Sequence, residues 1–230
     1  MPSEHFIDKD INLYLSYISE VKNLSQNTTS SYKRDLKKLS IFLDSISIKN
    51  YEEIDDGICT SWLGNLYSLE NNPKTIQRHL SSAKGFFKFL KKNSIIDSSP
   101  FDLVKAPKSP SYLPEVLSPE DVSQLLNFKP SDTLELRDLA IVELMYSSGL
   151  RVSETANINL DDFEEEMSFL RVLGKGSKTR LVPIGRYAKN AIDNWTNERA
   201  KYSEDSNALF INLKGGRLSV RSIQLRLKRL

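Results

Sequence analysis

From Phe6 to Val21 apolar residues recur at helical spacing, with Ile11, Leu13, Tyr14, Tyr17 and Ile18 on one stripe. That is the period of an amphipathic helix. A second helix is predicted through Leu43, with N-cap candidates in Asn27-Thr28-Thr29-Ser30 and Tyr32, Leu36, Leu39, Phe42 and Leu43 facing inward. Asp55 or Asp56 starts a third, carrying Ile58, Trp62, Leu63 and Leu66, and Asn72-Pro73 opens a fourth through Leu90. No strand-like alternation interrupts this stretch, so the first hundred residues read as an all-α domain of four or five helices.

The texture changes between Ser99 and Pro114, where four prolines alternate with Ser and Lys. Proline at this density disfavours helix and predicts an extended connector. The expected division is a helical domain over 1–107, a linker over 108–116 and a second domain over 117–230. Ser118-Pro119-Glu120-Asp121 restarts helix with an N-cap, a first-turn proline and first-turn acids. Leu136–Tyr146 is an apolar helix with Gly149 as its C-cap. Ser168–Leu173 and Thr179–Ile184 read as a β-hairpin joined by Gly174-Lys175-Gly176-Ser177-Lys178. Arg186–Lys201 is helical, Leu209-Phe210-Ile211 is a short strand, and Ser219 caps a last helix. The fold class is mainly α with a small β-sheet.

Composition narrows the function. Among 230 residues, 39% hydrophobic and 27% charged content is that of a globular domain, and no apolar run is long enough to span a bilayer, so no membrane insertion is expected. One cysteine, Cys59, on an apolar helical face, reads as a buried small residue and fits a reducing cytoplasm. The net charge of +2 says little, but its distribution says more. Lys74–Lys92 carries six Lys/Arg and no acid, and Lys214, Arg217, Arg221, Arg226, Lys228 and Arg229 follow the last acid, Asp205. Such faces are either solvated helix surfaces or phosphate-binding ones.

Two cations stand out. Arg151 follows Gly149-Leu150 at a helix junction, where a guanidinium fork matches two phosphate oxygens; a surface arginine paired with Glu154 or Asp161 is the other reading. Lys175, flanked by glycines at a hairpin tip, can approach a ligand closely and donate a proton to a leaving oxygen, though glycine-rich turns are common.

Tyr146-Ser147-Ser148-Gly149-Leu150-Arg151-Val152-Ser153-Glu154, followed by Gly174-Lys175-Gly176-Ser177-Lys178-Thr179-Arg180-Leu181-Val182-Pro183-Ile184, closely resembles the tyrosine recombinases of the Xer type. Arg137-Asp138-Leu139-Ala140 ahead of these motifs agrees. So do Asn27-Thr28, Tyr32, Asp35-Leu36, Thr75-Ile76, Arg78, Leu80-Ser81, Phe86-Phe87 and Ala106-Pro107-Lys108, so the resemblance spans the chain. It implies a SAM-like helical core-binding domain followed by an α+β catalytic domain, incomplete at its C-terminus. Arg151 becomes the first of two phosphate-binding arginines and Lys175 the general acid toward the leaving 5′ hydroxyl, with no metal or cofactor.

The family also uses a His-x-x-Arg box and a tyrosine nucleophile that forms a 3′-phosphotyrosyl link. The only histidines, His5 and His79, lie in the first half, and neither has an arginine three positions on. Tyr187 and Tyr202 read as packing residues. The chain is therefore expected to be a truncated recombinase that binds DNA without cleaving it. The implied partners are a double-stranded recombination site and a second recombinase subunit, homo- or heterotetrameric on DNA. Expected phosphate contacts in the first half are Thr28, Ser31, Lys33, Arg34, Lys74, Thr75, Arg78 and Lys84; those in the second are Lys178, Arg180, Arg217 and Arg221. The biological role implied is chromosome-dimer resolution; a phage or transposon integrase, or a DNA-binding protein without catalysis, are the alternatives.

Overall fold

The computed structural model describes residues 5–106, 116–174, 178–203 and 206–230. It divides into two compact units, Met1–Leu113 and Pro114–Leu230.

The first unit is built on four helices, α1 (Asp8–Ser16), α2 (Gln26–Ser45), α3 (Asp56–Ser68) and α4 (Pro73–Lys92), with a π-helical turn at Tyr17–Val21 continuing α1. Ile7, Ile11, Tyr14, Leu15 and Ile18 turn inward, whereas Leu13 is exposed. The expected stripe thus had one wrong member: at 3.6 residues per turn Leu15, not Leu13, shares a face with Ile11 and Ile18. The N-cap of α2 is Ser25, whose hydroxyl accepts the Thr28 N–H at 3.3 Å, ahead of the 27–30 segment expected to supply it. Asp55 and Asn72 cap α3 and α4 by the same device. Trp62, Leu36, Leu39, Leu43, Phe86 and Phe87 fill the core.

The stretch from Ser99 onward does not begin as a free connector. Phe101 is fully buried, its ring edge-on to Trp62 at 5.8 Å and 4.9 Å from Phe87, and Val104 follows it inward. Proline spacing hid two apolar anchors that close the bottom of the first core. Residues 107–115 lie outside the described part.

In the second unit α5 (Pro119–Leu126) starts with a full capping box: Ser118 Oγ accepts the Asp121 N–H at 3.1 Å and Asp121 Oδ2 accepts the Ser118 N–H at 3.0 Å. α6 (Thr133–Ser148) is the central helix, ending at Gly149 with φ +60°. It buries Ala140, Ile141 and Leu144 against α8 (Arg186–Arg199), which contributes Ala191, Ile192 and Trp195. A three-stranded antiparallel sheet of β1 (Phe163–Glu164), β2 (Phe169–Leu173) and β3 (Thr179–Pro183) runs in the order β1-β2-β3.

The expected strand at Leu209–Ile211 forms only isolated bridges, and Phe163–Glu164 is the third strand instead. All three side chains of 209–211 are buried. Two of their carbonyls are taken by side chains, Leu209 by the Trp195 indole at 2.8 Å and Ile211 by Arg137 at 3.1 Å, while the Phe210 carbonyl accepts the Leu218 N–H at 2.8 Å. The last helix, α9 (Val220–Leu227), is capped by Ser219. Arg226 fastens it to the fully buried Asp138 on α6, which also binds Arg137. Among the described residues no helix is long and apolar enough to cross a membrane.

Candidate active site

The local chain path sets Arg151. Gly149 ends α6 in the left-handed region, Leu150 is pinned into the core, and Arg151 is extended at φ −75°, ψ 150° as N-cap of α7 (Val152–Asn157). Its backbone is committed at both ends: the N–H donates to Glu154 Oε2 at 2.8 Å, and the carbonyl accepts from the Thr155 hydroxyl at 3.1 Å. The side chain is 73% exposed. This satisfies the helix start without a serine or threonine at its head.

Glu154 is the hub. Its carboxylate is 6% exposed and accepts Arg151 Nη1 at 3.0 Å on Oε1. Arg180, from β3, adds a bidentate pair, Nη1 to Oε1 and Nη2 to Oε2, each at 3.0 Å. The Arg180 hydrogen bonds, then the Arg151 backbone and side chain, hold the Glu154 carboxyl down at about 2 despite its burial. One buried carboxylate therefore joins the head of α7 to the strand leaving the hairpin.

The hairpin is registered by Val172 opposite Arg180 and Leu173 opposite Thr179, and closed by the Gly174 N–H donating to the Lys178 carbonyl at 2.8 Å. Gly174 has a second role. A side chain there would start 3.1 Å from Arg180 Nη1, so the glycine leaves room for the guanidinium. At the other end of β3, Ser148 Oγ donates to the Pro183 carbonyl at 2.9 Å and Ser147 Oγ accepts the Gly185 N–H at 2.7 Å, tying the strand to the end of α6. Arg151 and the base of the hairpin are thus held in one frame. Lys175 itself lies outside the described residues, as do Gly176 and Ser177.

Residues 115–230 match the phage integrase family, and residues 11–94 match the phage integrase N-terminal SAM-like domain. The chain belongs to the tyrosine recombinases of the phage integrase family, which are DNA strand transferases. It is 33% identical over 223 residues to the tyrosine recombinase XerC of Pseudomonas syringae pv. syringae, covering 96% of this chain and 75% of that protein. It is 38% identical over 223 residues to XerC of Alcanivorax borkumensis, covering 95% and 72%.

Solved structures share the fold at lower identity. A XerH recombinase bound to its difH substrate before cleavage has a TM-score of 0.70 at 19% identity, covering 95% of this chain and 67% of that one. A lambda integrase tetramer on a Holliday junction has 0.72 at 16%, covering 97% and 64%. The chain thus spans about three quarters of its curated relatives and about two thirds of these structures.

Within the recombinase frame the expected phosphate contacts differ in how far they are already engaged inside the chain. The side chains of Lys33, Lys74, Lys178 and Arg221 are exposed with no ion pair among the described residues. Lys84 and Thr75 are half-buried. Thr28 shares a hydroxyl bond with the α2 cap Ser25, and Ser31 accepts from Arg34 at 3.1 Å. Three arginines are committed inside the chain. Arg78 is paired with buried Asp35, Arg180 with Glu154, and Arg217 donates to the carbonyls of Ala156 and Ile158 at 3.1 Å each.

Tyr202 packs on the second core as expected, but Tyr187 does not pack: it is 68% exposed beneath the Arg186 guanidinium. Cys59 is buried and its thiol is pushed up to about 12 by that burial, which fits a packing role. Sequence reasoning left Glu154 as a mere partner for Arg151. The signal for its larger role was the three-residue N-cap to N3 spacing, obscured because the cap position holds arginine.

Proposed function

We propose that the chain grips a DNA phosphodiester with Arg151 and works in site-specific recombination on a double-stranded site, beside a second recombinase subunit. The observation that carries this is the state of Arg151: its backbone is fixed at both ends while its guanidinium stays largely exposed. A fixed fork of N–H donors fits two phosphate oxygens and stabilises charge that develops on them during transfer. Lys175, on the hairpin that Arg180 anchors, is read as the proton donor to the leaving 5′ oxygen. Lys33, Lys74, Lys178 and Arg221 are read as phosphate contacts that set register and affinity. Chromosome-dimer resolution in the cytoplasm is the biological role we favour, because the curated relatives quoted are both named XerC.

We also propose that these 230 residues alone hold DNA without forming a phosphotyrosyl link. Support comes from the histidines: His5 and His79 both belong to the first unit, and His79 is buried against Trp62 and Asp35. A tyrosine attacking a phosphodiester needs its surrounding acid and base groups as well as the phosphate grip. Incubation with a nicked suicide duplex separates the two statements on one pair of gels. A retarded complex on the native gel, with no band surviving detergent, is the expected result. A detergent-resistant protein–DNA adduct overturns the claim of inactivity, and the lack of any retarded complex overturns DNA binding.

A further inference from the structure

Arg151 and Arg180 converge on one carboxylate, yet they are held differently. Arg180 is bidentate and 38% exposed; Arg151 makes a single side-chain bond to the same carboxylate and is 73% exposed. Glu154 cannot be left with one partner at no cost. A carboxylate 6% exposed needs opposite charge and filled lone pairs to remain ionised. Placed beside a phosphate site, an unneutralised carboxylate would also repel the very anion that Arg151 is to bind.

We propose that Arg180 is a positioning residue that neutralises Glu154, so that Arg151 is released for the DNA phosphate while Arg180 itself touches no DNA. Gly174 suits the same device, because a side chain there would start 3.1 Å from Arg180 Nη1 and crowd the guanidinium. The pair also fixes strand to helix: Arg180 sits opposite Val172 in the register, so the hairpin cannot slide along the head of α7 without breaking it. The inference rests on the reading of Arg151 as the phosphate grip.

The expected consequence has a distinctive sign. In Arg180→Gln, Arg151 becomes the sole partner of a buried carboxylate and collapses onto it. Affinity for a short duplex then falls about tenfold, the scale of one charge-assisted hydrogen-bonded pair. In the double variant R180Q/E154Q the carboxylate charge is gone, Arg151 is free again, and affinity returns to within about threefold of the starting protein. R180K, which keeps the charge without the fork, is intermediate. If Arg180 contacts DNA directly, R180Q weakens binding and the second substitution restores nothing, which overturns the proposal. R180Q binding as well as the unsubstituted protein overturns it too.

A DNA-free measurement keeps the proposal separate from the functional reading. NMR relaxation of the Arg151 side-chain Nε–H reports its mobility directly. It should be mobile in the unsubstituted protein, ordered in R180Q and mobile again in R180Q/E154Q. Unchanged Arg151 mobility across the three sinks the inference even where DNA binds. A protein that binds no DNA sinks the functional reading, while the mobility series still decides whether Arg180 keeps Arg151 free.

Discussion

His79 is 1% exposed on α4, edge-on to Trp62 at 5.9 Å, with Nδ1 3.4 Å from Asp35 Oδ1 and without a hydrogen bond. Burial first, then the nearby Lys38 and Arg78 cations, lower its pKa to about 4 from 6.5. The unfolded chain therefore takes up a proton near pH 6.5 that the folded chain refuses until about pH 4. This contribution to stability is complete above pH 6.5 and is lost as pH falls through that window, at up to about 1.4 kcal/mol per pH unit. The urea midpoint of the first unit should drop between pH 7 and pH 5, and His79→Leu should flatten that drop. Glu154 acts lower down. Its pKa is depressed from 4.5 to about 2, so its contribution is full above 4.5 and lost as pH falls toward 2. At the residue scale the helix-junction place of Arg151 and its pairing with Glu154 were legible, whereas the second partner of Glu154 was not. Arg180 lies 26 positions away and reaches Glu154 only because β2 and β3 pair.

At the scale of elements, helices were legible because apolar period and capping chemistry agree, as in α5 with Ser118, Pro119 and Asp121. The misses are local. Four candidates, Asn27, Thr28, Thr29 and Ser30, competed for the α2 cap, and the cap is Ser25, upstream of them all, through a local bond to the Thr28 N–H. Ser25→Ala should cost about 1 kcal/mol in denaturant unfolding, and Asn27→Ala should stay within about 0.5 kcal/mol of the unsubstituted protein. Gly149 is a cleaner test. Nothing lies within 4 Å of where its side chain would stand, so Gly149→Ala carries only the backbone cost of φ +60°, at least about 1 kcal/mol. A neutral result would mean that the turn before Arg151 relaxes to another conformation. The segment at 209–211 was misread for a different reason: hydrophobicity predicts burial there, but side chains of Trp195 and Arg137 take the Leu209 and Ile211 carbonyls, and only the Phe210 carbonyl pairs with backbone, at Leu218.

Across the whole molecule, the change of texture near Ser99 predicted an extended connector, but the apolar anchors Phe101 and Val104 belong to the first core, since two buried side chains outweigh local proline content. Basic segments were legible as charge and not as contacts: some cations stand free, while Arg78, Arg180 and Arg217 hold the fold together. Such internal arginines are invisible to a count of charge, because their acids and carbonyls come from distant parts of the chain. The proposed phosphate grip rests on Arg151, whose backbone is fixed and whose guanidinium stays largely exposed beside Glu154. Its most direct test is the affinity of the chain for duplex DNA across a salt series, with and without Arg151→Ala. The expected result is a loss of about tenfold in affinity with the slope of log K against log salt smaller by about one, the signature of a single lost phosphate contact. An Arg151→Ala protein that binds with unchanged affinity and unchanged slope would contradict it.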